Sequence, residues 1–437
     1  MAKILLATES FPYGSGEKSF IMPQLKRLVK EYEVTIISHA AKEQIAAGMQ
    51  WEIPKGVQVV CLPRPVLTAA DKMKALCRLV LERDGRKEIR EIFRSKKQYS
   101  KRLYQSLAFL AQALADQKAL ERSRLLKGGE DIIYYSFWYE YYCYSMLRIK
   151  NRYPNVRVVT RTHGHDLYHE RIPGCRQPFR HQMEAGLSGI AFTCAYGRQY
   201  YADYVKGAKL KTDKMYVCRL GTEPASRYMP LGTGKVWQLL SCSNVIALKR
   251  IEKIIDALAL MEGGQIHWTH IGGGESLEAV RKYARHKLDA KDNITYTFTG
   301  AIDTVDQYYR DNQVDCFITT SATEGGCPVS IQEAMSYGVP VIGTDVGGIT
   351  EMITNNGILL SGDPDAEETA KAIREICQLE REELERMKQN SLDAWRKMFA
   401  VEKCYQDMKA VLENGRLITK QDQMMSTEHA LDADACK

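Results

Sequence analysis

Two glutamates bracketing a glycine and proline loop carry the most distinctive chemistry in this sequence. The segment runs TEGGCPVSIQEAMSYGVPVIGTDVGG from Thr323 to Gly348. Pro328 suits the first turn of a helix, where its missing N–H costs nothing. A helix opening there leaves the amides of Val329, Ser330 and Ile331 without intrahelical acceptors and adds the partial positive charge of the helix end. The expected guest is an anion such as a diphosphate. Glu333, a turn and a half further on, places a carboxylate where it can accept hydrogen bonds from two ribose hydroxyls. Reading Glu324 and Glu333 as the acid and nucleophile of a glycosidase is disfavoured, because one sits on a glycine loop and the other inside a helix beside an anion site.

Other clusters read more plainly. RTHGHD (161–166) with His169 brings imidazoles and a carboxylate close in sequence, but only part of that set can converge from one short strand end, so no metal site is expected. His165 and His169 read as ordinary hydrogen-bonded histidines. The tyrosine-rich YYSFWYEYYCY (134–144) reads as a packed strand–helix corner. Asp363 and Asp365, just before a helix, read as acidic caps. The IGGGE loop (271–275) gains meaning only from lying after a strand and before a helix.

The elements that must position these groups alternate in type. Short β-branched runs at 3–8, 33–38, 57–61, 131–136, 156–161, 189–194 and 215–220 are separated by amphipathic stretches, and the pattern restarts at 236–242, 266–272, 294–300, 315–321, 339–344 and 357–361. Strands alternating with helices imply parallel βαβ units. The fold class expected is α/β: two facing, Rossmann-like, doubly wound parallel-sheet domains with an interdomain cleft, since ligands of such sheets lie beyond the carboxyl ends of the strands. The expected boundaries are an N-terminal domain at 1–220 carrying a basic helical segment at 68–127, a C-terminal domain at 236–397, a further helix at 398–418 and a disordered tail at 419–437.

The segment resembles the signature of the retaining, two-Rossmann-domain (GT-B) glycosyltransferases of family 4, in the residues Glu324, Gly325, Pro328, Glu333, Ala334, Met335, Gly338, Pro340, Gly347 and Gly348. The resemblance continues in order through Gly14, Gly16 and Glu17, RTHGHD, Lys249, IGGGE and FTG (298–300), covering residues 3 to about 410. It implies transfer of a sugar from a nucleotide-sugar donor, UDP-linked, to a glycan or lipid-linked acceptor in cell-surface polysaccharide or glycolipid synthesis. No cofactor or metal is implied. By the same resemblance, His163, Lys249 and Glu324 are the catalytic set: Lys249 neutralises the leaving diphosphate, and His163 and Glu324 touch the sugar. Glu333 holds the ribose, Gly325 and Gly326 assist Glu324, Gly14 and Gly16 let backbone approach the phosphates or acceptor, and Ala301 and Ile302 read the base. Gly273, with the amides of Val329, Ser330 and Ile331, completes the donor set.

Two departures stand out. Eight residues, Gly325 to Gln332, separate the glutamates, one more than the family spacing, so the loop must bulge within GGC. Asn244 stands where the family often has arginine, and it cannot neutralise a diphosphate. Arg250 compensates only if its side chain turns toward the donor. A non-catalytic homologue that binds a nucleotide sugar or scaffolds a partner enzyme, and a sugar-nucleotide epimerase, stay open as alternatives.

Bulk properties set the frame. A chain of 437 residues exceeds one ordinary hydrophobic core. Its 12 cysteines include no CxxC pair, which argues against zinc and thioredoxin-like chemistry and for reduced, buried thiols. The opening apolar run is too short for a signal peptide and nothing approaches a membrane span, so a cytoplasmic location is expected. The net charge of +7 is concentrated: residues 71–127 hold 16 lysines and arginines against 7 acids, a local +9. Such a segment reads either as a contact with anionic membrane or a lipid-linked acceptor, or as a solvated face. No nucleic-acid partner is expected.

Overall fold

The computed structural model describes residues 2–94, 98–126, 131–207 and 214–415. The N-terminal strands are β1 (Lys3–Thr8), β2 (Glu33–Ser38), β3 (Gln58–Cys61), β4 (Ile132–Ser136), β5 (Val156–Thr162), β6 (Gly189–Phe192) and β7 (Met215–Val217). They form one sheet in the order β3-β2-β1-β4-β5-β6-β7, parallel throughout. In β1 the run Ile4, Leu5, Leu6 and Ala7 is fully buried with no alternation. That is the pattern of a strand covered on both faces by helices. The helices are α1 (Lys18–Glu31), α2 (Lys42–Ala46), α3 (Ala69–Leu81), α4 (Arg83–Arg94), α5 (Tyr99–Ser123), α6 (Tyr141–Ile149), α7 (Arg180–Glu184) and α8 (Ala195–Gly207).

The pattern then repeats with β8 (Val236–Cys242), β9 (Gln265–Ile271), β10 (Ile294–Gly300), β11 (Cys316–Thr319), β12 (Val341–Thr344) and β13 (Gly357–Leu360). This second parallel sheet has the order β10-β9-β8-β11-β12-β13. Its helices are α9 (Ile251–Ala259), α10 (Leu277–Leu288), α11 (Val305–Asp311), α12 (Val329–Ser336), α13 (Ala366–Cys377), α14 (Arg381–Met398) and α15 (Val401–Asn414). Successive strand residues feed opposite cores: Ile318 and Ile342 join Trp268, Ile255 and Leu258 on one face. Phe317 and Val341 join Ile331 and Met335 on the other. The expectation of two parallel-sheet α/β domains is borne out.

The chain divides into two compact units, one made of 1–193, 197–218 and 405–437, the other of 194–196 and 219–404. The last helix therefore returns to the N-terminal unit. There Tyr405 donates to Glu31 (2.7 Å), Lys409 pairs with the same carboxylate and Tyr32 donates to Glu413. The tail expected from 419 onward lies outside the described residues, as do 95–97 and 127 of the basic segment. Within that segment the acids turn inward. Glu88 is fully buried and accepts from Ser106 (2.6 Å), from the Phe179 amide (3.2 Å) and from Arg176. Asp116, also buried, binds His39 (3.0 Å) and Ser145.

Candidate active site

In each sheet the strand order reverses at one place, between β1 and β4 and between β8 and β11. Connections leave in opposite directions there, opening a crevice at the strand ends where ligands of such sheets bind. Lys249 and Glu324 lie at the second of these positions and Gly14, Gly16 and Glu17 at the first, whereas His163, Gly273, Ala301 and Ile302 follow the neighbouring strands β5, β9 and β10.

In the C-terminal unit Lys249 follows β8 and Glu324 follows β11, and their side chains form an ion pair. Local bonds hold the two loops together: Ala322 N–H donates to Leu248 O (2.8 Å), and Thr320 Oγ1 donates to Arg250 O (2.9 Å). Arg250 adopts a left-handed φ of 47°, and its guanidinium donates to the carbonyls of Thr320 (2.7 Å), Ser321 (2.8 Å) and Gly362 (2.9 Å) and to Asp363 (2.6 Å). It buttresses the strand ends, so the turn toward the donor that would replace the missing arginine is not what this structure has. Asn244 is exposed, and its carbonyl accepts from the Ile246 amide (3.0 Å).

The helix expected at Pro328 is α12, with Pro328 one residue ahead of it rather than in its first turn. No side chain caps it, and its first backbone bond runs from Gln332 N–H to Pro328 O (3.2 Å). The amides of Val329, Ser330 and Ile331 are therefore without intrahelical acceptors. The extra loop residue is absorbed in a bend at Gly325, Gly326 and Cys327, held by Gln332 Nε2 donating to Cys327 O (3.0 Å) and by Cys327 Sγ donating to Gly348 O (3.6 Å). Beneath it Gly347 and Gly348 lie so close that a Cβ on either would stand 2.3 Å from the backbone of Glu324 or Gly326. The paired glycines are a requirement of that approach.

Glu333 projects from α12 with no side-chain partner among the described residues. Burial, with Asp306 nearby, raises its carboxyl to about 7. Across the strand ends, Gly272 and Gly274 have backbone conformations (φ 147° and 153°) and neighbours, Ser243 O and Val245 O, that exclude a side chain. Gly273 is bonded to the Val245 amide through its carbonyl (2.8 Å) and lies beside Ala301. Ala301 and Ile302 are exposed beyond β10.

In the N-terminal unit Glu17 organises the first loop. Its carboxylate accepts from the amides of Glu9 (3.2 Å), Ser10 (2.6 Å) and Phe11 (2.7 Å), and from Trp138 Nε1 (2.6 Å). Three amides that could have met a phosphate are thus already occupied. Gly14 is buried, with its N–H on Ser10 O (3.0 Å), while Gly16 is exposed with open space around it. The Trp138 ring lies 4.1 Å from that of His163, and Phe137 lies 4.9 Å away. Burial lowers the His163 pKa, and both of its buried ring nitrogens lack hydrogen-bond partners, the Asp166 carboxylate standing 3.9 Å from Nδ1, an ion-pair rather than a hydrogen-bond distance. Asp166 instead accepts from the His163 (2.7 Å) and Tyr139 (2.9 Å) amides. Burial opposes its charge, but its contacts with His163, with His165 and the Tyr139 amide, hold the carboxyl at about 2.

Among the described residues no three His, Cys, Asp or Glu side chains are grouped as a metal ion requires. His165 is half exposed, 3.6 Å from Glu140, and His169 is kept neutral by burial, its pKa lowered to about 4. Asp365 caps α13 through the Glu368 amide (2.8 Å), as expected. Asp363 does not cap. It pairs with Arg250 and Lys253. Two contributors escaped sequence reasoning: Trp138 was grouped with the tyrosine corner, and Asp306 carries no motif.

The two parallel sheets, each with a switch point, define an α/β fold of two doubly wound units, and comparison with known proteins shows what the chain is similar to. Residues 232–393 match the family described as Glycosyl transferases group 1. The GDP-mannose-dependent alpha-(1-6)-phosphatidylinositol monomannoside mannosyltransferase of Mycobacterium tuberculosis is 28% identical over 253 residues, 50% of this chain and 60% of that enzyme. The O-antigen biosynthesis glycosyltransferase WbnH of Escherichia coli is 33% identical over 129 residues, 30% of this chain and 35% of that enzyme. The chain thus spans less than two thirds of the length of these curated relatives. Anabaena HepE, solved with UDP-glucose, superposes with a TM-score of 0.63 at 14% identity, over 94% of this chain and 99% of that one. At that identity the likeness establishes the fold, that of the GT-B glycosyltransferases.

Proposed function

We propose that this protein is a retaining glycosyltransferase of the family 4 type. It moves a sugar from a nucleotide-sugar donor, UDP-linked, to a glycan or lipid-linked acceptor in cell-surface polysaccharide or glycolipid synthesis, on the cytoplasmic side and in peripheral contact with anionic membrane. The observation that carries this reading is the convergence, at one switch point, of the Lys249–Glu324 pair, the uncapped start of α12 and the unpartnered Glu333. In this reading the donor diphosphate sits at the amides of α12 and draws Lys249 away from Glu324, which frees the carboxylate for sugar hydroxyls. Glu333 takes the ribose, and Gly273 with Ala301 and Ile302 gives the base a flat backbone edge. His163, held toward the neutral form by burial and with both ring nitrogens free of hydrogen bonds, is suited to meeting a sugar hydroxyl.

Leaving-group charge is handled by Lys249 and the helix start, without metal, since Asn244 is uncharged and Arg250 is engaged. A positioned donor of this kind is typically worth on the order of 3 to 4 kcal/mol, a rate factor of 10² to 10³. Lys249→Ala is expected to lower kcat by about that factor, and Glu333→Ala to raise the donor Kd, measured by donor hydrolysis and by titration. Unchanged kinetics in both variants would sink the assignment.

A further inference from the structure

We infer that the outer side of the α3–α5 layer is a docking face for an anionic phospholipid bilayer. Between residues 71 and 104, nine described lysines and arginines are exposed, whereas none of the five acids is. Each acid but Asp84 has a named partner. Asp71 closes the start of α3 with Thr68, and Glu82 binds Arg148 through two bonds (2.9 and 3.1 Å). Glu88 and Glu91 both take Arg176. The layer has sorted its charge, so the surface is more positive than its composition.

Apolar groups are interleaved with those cations. Met73 (61% exposed), Leu76 and Val80 (51%) follow one another at helical spacing along α3, on a strip beside that of buried Ala75 and Leu79. The rings of Phe93 (57%), near the end of α4, and Tyr99, at the start of α5, are tilted against each other with centroids 5.3 Å apart, and Leu103 is exposed on the next turn of α5. A surface meant only for water has no need of these side chains among exposed cations, of which Arg78 pairs with Glu82. Basic groups with apolar and aromatic wedges between them are what an interfacial helix presents to acidic headgroups and the acyl boundary. A nucleic acid would be met by the charge but gives no role to Met73, Leu76 and Val80. Among the described residues no helix is long and apolar enough to cross a membrane, so the contact is with the surface. The docking rests on this face alone. Only its purpose, bringing a lipid-linked acceptor within reach, rests on the proposed transfer.

Vesicle co-sedimentation of the full chain tests it, with phosphatidylcholine vesicles against vesicles that also contain phosphatidylglycerol. The protein is expected to pellet with the second and not the first, and to be released in about 1 M salt, where charges are screened beyond roughly 3 Å. Lys72→Glu, Lys74→Glu and Lys87→Glu together should abolish pelleting. The gentler Lys→Gln set at the same positions should cost roughly fivefold in partitioning per charge removed. Met73→Ser with Phe93→Ser should weaken vesicle binding while leaving binding to a polyuridine RNA unchanged. Equal pelleting with both vesicles, or indifference to the charge variants, would overturn the proposal. So would RNA binding without vesicle binding. Donor hydrolysis measured without vesicles keeps the two readings apart: it should persist in every one of these variants, and its absence from the parent protein would count against the transferase reading while leaving the docking result to stand.

Discussion

Glu333 is half-buried, has no cationic partner and lies near Asp306, and burial lifts its carboxyl to about 7 against an ordinary 4.5. Between those two values the folded protein holds a proton that the unfolded chain has released. The residue's contribution to stability is therefore fully present below 4.5 and is lost as pH rises through about 7. Glu333→Gln keeps the shape and stays neutral, so it is expected to raise Tm relative to the parent above pH 7 and to leave it unchanged near 4.5. A shift of equal size at both ends of that range would show that the charge is not what matters. A carboxyl held in this condition costs stability above neutral pH, a cost common where function sets the residue and one that the proposed ribose contact would account for. The glutamate and its helix were legible in the sequence. Its environment was not, because Asp306 lies 27 positions earlier in the chain, on a different helix, and no periodicity connects the two.

The loop from Glu324 to Pro328 depends on the turn at Gly347 and Gly348, which packs against its backbone. Gly348 has no room for a Cβ, the nearest atoms being the Gly326 carbonyl carbon and oxygen at 2.3 Å. Gly348→Ala must therefore push the loop away and break the Lys249–Glu324 geometry, while α12 and the cores on both sheet faces stay packed. Donor affinity and kcat are expected to fall at least tenfold with a loss of unfolding free energy on the order of 1 to 3 kcal/mol, the usual range for overpacking. Normal kinetics in a folded Gly348→Ala protein would disprove this account of the paired glycines. The strands at this scale were readable because β-branched runs of four to seven residues bounded by polar or glycine positions have few alternatives. The direction of Arg250 was not readable. It is set by a left-handed backbone angle at the end of a short turn, which aims the guanidinium at the strand-end carbonyls. Glu17 lies within a glycine loop motif, but that its carboxylate fills the loop's own amides and takes Trp138 as well depends on the folded path of the loop, which no spacing reveals.

At the scale of the whole molecule, the choice of donor is set by residues scattered over several strand ends, and one measurement reads them all together. A thermal-shift series across UDP-, GDP- and ADP-sugars is expected to favour UDP-sugars, since a ligand at 100 times its Kd adds about 2.7 kcal/mol to stability. A larger shift with GDP-sugars would reassign the base, and no shift with any would remove the nucleotide-sugar reading. The two-sheet plan was legible from end to end, but the path of the chain between the units was not, because α15 looks like any amphipathic helix. Its return to the N-terminal unit through Glu31 and Tyr32 has a consequence for biosynthesis. The N-terminal unit is translated first yet lacks its closing helix until residues 405–414 have left the ribosome. The unit that starts earliest is therefore completed last, after 219–404 has emerged whole and is able to fold.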